Sequence, residues 1–316
     1  MKSPVKNPAY WQGPIIYANP NEHFLSAIAQ AGLPVPPHIE ADGRLHRYRD
    51  PDAKSSNKNC WYVLYSDGVA AGAYGDWRSG RSHTWSAKSP NTMSASERAE
   101  YRRRMAETRH QRQQEEFHKH QFAATKAKEI WARSASADPK HPYLSKKGVT
   151  AGIARQSGDA LVLPIVAIPT QKIRSLQFIE PDGSKRMLSG GEKKGHGIPC
   201  SAPMTNLSRI IVCEGWATGR TLAMLDPTAR VIAAIDAGNL ESVAVNCRHQ
   251  WPDIPLVIAC DDDRLTDGNP GMTRGQIAAI TSGASLIKPK WPVGAPNDLT
   301  DFNDLQLWHV RQGGAA

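Results

Sequence analysis

Residues 209 to 219 read Arg-Ile-Ile-Val-Cys-Glu-Gly-Trp-Ala-Thr-Gly, an apolar run that ends on a carboxylate, Glu214, and then turns on a glycine. The pattern returns at 256 to 263, where Leu-Val-Ile-Ala-Cys runs straight into Asp261, Asp262 and Asp263. Short apolar runs bounded in this way read as buried strands. Strands are expected at 210–213, 231–235, 256–260 and 284–288, and helices near 217–225, 239–250 and 271–282. Strand–helix alternation at this spacing predicts a parallel sheet with helices on both faces. Ligands of such sheets bind beyond the carboxyl ends of the strands, where Glu214 and the aspartates fall. Carboxylates crowded there repel one another and are costly to desolvate, so they call for a cation. Oxygen ligands suit a hard ion such as Mg²⁺ or Mn²⁺, commonly held by one or two carboxylates together with phosphate oxygens. The expected chemistry is phosphoryl transfer.

The rest of the chain divides by composition. Residues 1–21, rich in Pro and Asn, are expected to form a flexible arm. In 22–90 a helix over 22–34 precedes a small antiparallel sheet that carries Tyr48, Trp61, Tyr62, Tyr65, Tyr74, Trp77 and Trp85, with turns at Asp42-Gly43, Asp67-Gly68 and Ser79-Gly80. Residues 91–135 form a charged connecting helix that opens on a capping box, Ser94 with Glu97. Its apolar stripe is weak (Tyr101, Met105, Phe117, Phe122, Ala127, Ile130, Trp131), which predicts docking mainly by the C-terminal third. Residues 136–205 are strand-rich, with runs at 161–168 and 173–179, a return strand from Lys185, and a Gly/Lys-rich loop over 189–197. The αβ unit fills 206–305, and 306–316 are a C-terminal tail.

With 39 Lys and Arg against 30 Asp and Glu, the 316-residue chain carries +9, a balance that favours a polyanionic partner. Its five cysteines are scattered without a C-x-x-C pair. That reads as reduced thiols in a cytoplasmic protein, with no zinc site expected. No run approaches 18 consecutive apolar residues and the N-terminus lacks the apolar stretch of a signal peptide, so no membrane partner is expected.

The ordered set Cys213-Glu-Gly-Trp-Ala-Thr-Gly219, Ala237-Gly-Asn-Leu240, Asp261-Asp-Asp263, Asn269-Pro-Gly271 and Asp301-Phe-Asn-Asp304 resembles the Toprim domain, the catalytic fold of bacterial primases, type IA and II topoisomerases and some nucleases. The finer resemblance is to primases of plasmids, phages and integrating elements. His141-Pro-Tyr-Leu144, Ser175-Leu-Gln177, Asp182-Gly183 and Lys185-Arg186 resemble the strand-rich half of the same core, and Gly43-Arg-Leu-His46, Trp61-Tyr62 and Gly75-Asp-Trp77 resemble the N-terminal domain of that group.

The resemblance implies an α/β protein: a Toprim-type parallel sheet flanked by helices, preceded by a strand-rich catalytic subdomain and a small aromatic-rich α+β N-terminal domain. It implies Glu214 as general acid/base and Asp261 and Asp263 as ligands of two divalent ions, with Glu214 and Asp301 as further metal candidates. Asp262, on the opposite side of an extended segment, has a lesser role. The implied activity is that of a DNA primase, making primers from nucleoside triphosphates on single-stranded DNA alongside a separate replicative helicase, since the chain has no P-loop motif.

Lys185, Arg186, Lys193, Lys194, Gly215 and Arg220 are candidates to meet nucleotide. Arg44, His46, Arg47, Trp61, Trp77 and Arg78 are candidates to meet nucleic acid, because basic groups track phosphates while aromatic faces stack bases. The competing expectation for the aromatics is the sheet's own core. Competing functions are a Toprim nuclease and a non-catalytic single-stranded-DNA-binding accessory protein; a topoisomerase would need a strand-passage domain with a nucleophilic tyrosine.

Overall fold

The computed structural model describes residues 19–50, 58–203 and 206–313 and divides into two compact units, Met1–Glu116 and Phe117–Ala316. Most of the expected arm, 1–18, lies outside the described residues.

In the N-terminal unit, helix α1 (Pro20–Gln30) starts where the Asn19 side chain accepts from the Asn21 N–H. Strands β1 (His46–Tyr48), β2 (Cys60–Tyr65), β3 (Ala71–Asp76) and β4 (Arg81–Ser86) form an antiparallel sheet in that order. Side-chain alternation sorts its aromatics by face. One face packs Tyr48, Tyr62, Leu64 and Tyr74 on Phe24 and Ile28 of α1. The tyrosines reach across this core to carbonyls: Tyr48 donates to Pro34 O at 2.6 Å, Tyr62 to His38 O at 3.3 Å and Tyr74 to Ala27 O at 3.0 Å.

Helix α2 (Ala95–Arg133) opens on the expected capping box: the Ser94 N–H donates to Glu97 Oε2 at 2.8 Å and the Glu97 N–H to Ser94 Oγ at 3.2 Å. The boundary between the units falls inside this helix. Docking is not confined to its last third. Within the N-terminal unit Arg104 is buried and forks onto Asp67, Nη1 to the carbonyl at 2.6 Å and Nη2 to Oδ2 at 2.8 Å. Phe117 and Phe122, expected in the apolar stripe, are exposed (57% and 74%), because the buried positions near them are the small Ala123, Ala124 and Ala127.

The C-terminal unit is built on one ten-stranded sheet. Strands β5 (Ala135–Ser136), β6 (Arg155–Ser157), β7 (Ala160–Ala167), β8 (Ile173–Ile179) and β9 (Lys185–Met187) are antiparallel, and helix α3 (Pro142–Lys147) lies between β5 and β6 in the chain. Strand β10 (His196–Pro199) pairs antiparallel with both β7 and β12 (Ala229–Ala233). From β12 onward pairing is parallel: β12 to β11 (Arg209–Cys213), β11 to β13 (Leu256–Ala259), β13 to β14 (Ser285–Ile287). The strand-rich half and the αβ unit are therefore one continuous sheet.

Odd and even residues of β11 face two different cores. Ile211 and Cys213 pack with Trp216, Ala217 and Leu222 of helix α4 (Trp216–Leu225). Ile210 and Val212 pack with Leu240, Val243 and Ala244 of helix α5 (Ala237–Gln250) and with Ala278 and Ala279 of helix α6 (Pro270–Ser282). Helix α7 (Phe302–Arg311) continues through most of the segment expected as a tail. All five cysteines are buried free thiols, and among the described residues no helix is long and apolar enough to cross a membrane.

Candidate active site

Strands β11 and β13 are parallel neighbours with Cys213 opposite Ala259, so Glu214 and the Asp261–Asp263 segment leave the sheet side by side at its carboxyl edge. The close packing of α6 beneath that edge depends on glycine. A Cβ on Gly271 would lie 2.8 Å from Asp261 O and 2.9 Å from Asp263 Oδ2, and one on Gly275 would lie 2.4 Å from Cys260 Cβ.

The three consecutive aspartates have different environments. Asp261 is pushed up to about 8, first by burial and then by the charges of Asp301, Glu214, Asp263 and Asp304; its Oδ1 is buried with no hydrogen-bond partner. Asp262 points away, accepting from Asn269 Nδ2 at 2.9 Å, Trp291 Nε1 at 3.0 Å and Lys288 Nζ at 3.3 Å. Burial opposes its ionisation, but these partners outweigh it and hold the group below the ordinary value; it is covered by its partners rather than by depth. Asp263 accepts from the Gly271 N–H at 2.9 Å, at the start of α6.

Glu214 is half-buried and raised by burial, then by Asp263 and Asp236, against a backbone hydrogen bond at Ala237. Asp301 caps α7, accepting from the Asp304 N–H at 2.8 Å, and takes a second bond from Thr218 Oγ1 at 2.9 Å. Burial and Asp304 raise it too. It is thus both a helix cap and a member of the cluster around Asp261.

The cations divide. Lys185 is held below the ordinary lysine value, first by burial and then by the charge of Lys147, and is drawn back by the charges of Asp301, Glu214 and Asp261. Its neighbour Arg186 is directed elsewhere, over the Phe178 ring at 4.0 Å and 3.3 Å from Glu180. Lys193 reaches Asp236 Oδ2 at 2.6 Å, and Lys194 is exposed on the same loop. Gly215 is the N-cap of α4. Arg220 is buried and does not fit a nucleotide role. Its guanidinium bonds Thr150 O at 3.1 Å, Thr150 Oγ1 at 2.6 Å and Cys200 O, tying α4 to the strand-rich half.

Sequence reasoning missed several residues here. Asp236 ends a third strand in acid, Ala233-Ala234-Ile235-Asp236, and caps α5. The strand stops at Ala233 because Ile235 has φ 81°, a conformation that is rare for a β-branched residue and costs of the order of 1–3 kcal/mol. Asn239 is buried and holds the 189–197 loop: its Nδ2 donates to Lys193 O, His196 O and Ala234 O, and its Oδ1 accepts from the Gly195 N–H. Lys147 lies 3.5 Å from Asp304 Oδ1.

Mutually repelling carboxyls, one with an orphaned oxygen, fit a hard divalent cation. Among the described residues no trio at this edge has its ligand atoms all within 4.8 Å; the one such trio is Glu40, Asp42 and His46 in the N-terminal unit, where Asp42 and His46 already pair at 2.8 Å. The acidic edge therefore suits a cation held by one or two carboxylates and completed by substrate oxygens, as is usual for magnesium.

In the N-terminal unit, Trp61 is fully buried, Trp77 half-buried, and Arg44 and Arg78 exposed. His46 stacks on Tyr62 at 5.1 Å, and Arg47 is bound to Glu115 at 3.0 Å and Lys58 O at 2.9 Å.

The acidic strand ends lie in a stretch, residues 209–312, that matches the Toprim domain family. Over most of its length the chain is similar to proteins named DNA primase TraC. It is 32% identical to one from Escherichia coli over 294 residues (88% of this chain, 27% of that protein) and 30% identical to a second over 308 residues (93% and 21%). The chain spans about a quarter of the length of these relatives. Two solved structures are similar at lower identity. The DnaG catalytic core is 12% identical, with 61% of this chain and 76% of that chain covered and a TM-score of 0.40. The primase fragment of the bacteriophage T7 primase-helicase protein is 16% identical, with 58% and 74% covered and a TM-score of 0.38.

Proposed function

We propose that this chain is a DNA primase, synthesising short primers on single-stranded DNA by nucleotidyl transfer. The observation that carries the reading is the carboxyl edge itself, where Asp261 keeps an unpartnered buried oxygen amid the charges of Glu214, Asp263 and Asp301. Asp261 and Asp263, with Glu214 and Asp301 adjacent, would hold Mg²⁺ or Mn²⁺, two ions in the full reading. A divalent ion held there would supply neutralisation of phosphate charge and a lower pKa for a 3′-hydroxyl.

Glu214, whose hold on a proton is raised by burial and by Asp263 and Asp236, would take the proton of the attacking 3′-hydroxyl. The hydroxyl oxygen bonds to the α-phosphorus of the incoming nucleoside triphosphate while the bond from that phosphorus to the bridging oxygen breaks and pyrophosphate leaves. Lys185, Lys193 and Lys194 would balance the triphosphate, with Asn239 holding the loop that carries the last two. Residues 22–90 are assigned to template engagement and 136–305 to chemistry, the helix over 91–135 connecting them. A separate replicative helicase would supply single strands.

The test is to incubate the protein with single-stranded circular DNA, nucleoside triphosphates and magnesium. Short labelled products support the reading. Nicked circles without products would instead mean a Toprim nuclease, and a gel shift alone a DNA-binding accessory protein.

A further inference from the structure

The two faces of the N-terminal sheet differ in how well their polar groups are satisfied. On the α1 face each buried tyrosine hydroxyl finds a carbonyl. The opposite face presents Arg47, Trp61 and Ser82, in cross-strand register with one another through Gly75, with Trp77 just beyond β3. A Cβ at Gly75 would lie 2.9 Å from the Trp61 ring, so the absent side chain leaves room for the indole. The first half of α2 covers this face with polar residues. Arg112 lays its guanidinium 4.1 Å over the Trp61 ring and 5.2 Å from that of Trp77, and its one hydrogen bond is to Ser82 Oγ at 3.0 Å.

The cover fits poorly in hydrogen-bonding terms. Trp61 Nε1, Trp77 Nε1, Arg47 Nε and Arg112 Nε are buried donors without acceptors, and Gln111 Oε1 and Glu115 Oε2 are buried acceptors without donors. These six are half of the twelve such side-chain atoms among the described residues, although the layer is a small part of the chain. Trp61 is wholly buried, so its N–H has no access to bulk water. Burial without a carboxylate at hydrogen-bonding distance also lowers the affinity of Arg112 for its proton. The surface under α2 would be better matched by a ligand with a flat π face, acceptors along its edge and an anionic group for the Arg112 guanidinium, Arg47 being already paired with Glu115. A nucleotide within a single strand has all three, and stacking on aromatic side chains is how such strands are held without sequence reading.

We propose that the Trp61–Trp77 surface is a base-stacking site for single-stranded nucleic acid and that Arg112, lying flat on Trp61, occupies the position of the base until the strand displaces it. This deepens the assignment of the N-terminal unit to template engagement and rests on it. The first half of α2 is then a self-ligand as well as a connector: strand binding must move Arg112 off the indole, and the freed guanidinium becomes available to phosphate.

The experiment uses the full chain and a labelled dT oligonucleotide, read by fluorescence anisotropy and by quenching of intrinsic tryptophan fluorescence across a salt series. Arg112→Ala removes the occupant and should tighten binding about threefold or more, with deeper quenching. Arg112→Lys, which keeps the charge but loses the planar stack, should tighten it less. Trp77→Ala, at a half-buried position, should weaken binding about tenfold, within the range reported for loss of one stacked base. Thermal melts confirm that each variant is folded; if Arg112→Ala is not, the Arg112→Lys and Trp77→Ala arms decide. Weaker or unchanged binding by both Arg112 variants, or full affinity in Trp77→Ala, overturns the stacking site. Failure of the primase reading looks different: the wild-type protein would make no primers even though the Arg112 and Trp77 effects on binding appear as stated.

Discussion

The two sheets leave polar groups unmatched in different places, and connectivity explains the difference. In the parallel part of the C-terminal sheet every strand enters from the same end, so the turns after β11, β12 and β13 gather Glu214, Asp236 and Asp261 along one edge while both faces are covered by helices. The antiparallel N-terminal sheet has no such edge, because alternate strands run in opposite directions. Most of its unmatched groups lie across a face, under the first half of α2, with His83 Nε2 the exception on the α1 side. A parallel sheet concentrates charge at a line; an antiparallel one can offer only a surface. Metal-assisted chemistry suits the first and stacking suits the second.

The largest effect should come from the edge. Glu214→Gln keeps volume and hydrogen bonding but removes the ionisable group, and should lower primer yield by about 10²- to 10⁴-fold, with single-strand affinity and melting temperature retained. Yield within about twofold of wild type would detach the edge from the chemistry. Arg220→Met is the counter-case, a residue close in sequence whose effect should be on folding alone. Stranding the carbonyls of Thr150 and Cys200 should cost roughly 2–5 kcal/mol in a denaturant titration. If the variant is stable and fails only in nucleotide binding, Arg220 belongs to the site after all.

A smaller contrast divides neighbours. Asp261→Asn should raise the melting temperature in chelator, since it relieves repulsion at a buried carboxylate. Asp262→Asn should lower stability by about 1–2 kcal/mol, because the half-exposed Lys288 and Trp291 lose a charged acceptor. Shifts of the same sign would mean that the two carboxylates do not face opposite sides.

A further contrast is one of pH. An unfolded aspartate ionises near 3.8, whereas Asp261 holds its proton to about 8. Between those values the folded state binds more protons than the unfolded one, so unfolding free energy falls as pH rises. Metal-free protein should melt progressively lower from about pH 5 to pH 8, and Asp261→Asn or added magnesium should flatten the curve. A flat profile in wild-type protein would place Asp261 in a wetter setting than its orphaned oxygen indicates.

Much of the acidic edge was legible because βα units repeat one local pattern, apolar run then acid, and that pattern needs no tertiary information. Asp236 follows the same rule, directly after the strand expected at 231–235, and went unassigned there; in the structure that strand ends two residues early, at Ala233, and the left-handed Ile235 turns the chain before the acid. Arg220 misled for the opposite reason. A cation after a glycine turn looks exposed, and only the long-range contacts to Thr150 and Cys200 bury it. Alternation along β2 separates Trp61 from Tyr62. What covers each face is decided by residues far away in sequence, and nothing in α2 marks Arg112 as the one that lies on an indole.

The placement of β11 between β12 and β13 has a consequence for how the chain is made. On a ribosome the residues of β7, β10, β11 and β12 emerge before β13, so one flank of the sheet is complete in sequence while the other is still absent. Glu214 then has only Asp236 as a repulsive neighbour, and Asp263 has not yet been synthesised. Asp261 arrives with β13, at an edge already built on the other side, while Asp301 and Asp304 are still to come. The crowding of carboxyls around Asp261 is thereby deferred until the strands on that side are in place, and any divalent ion present at that moment would act as a chaperone for β13.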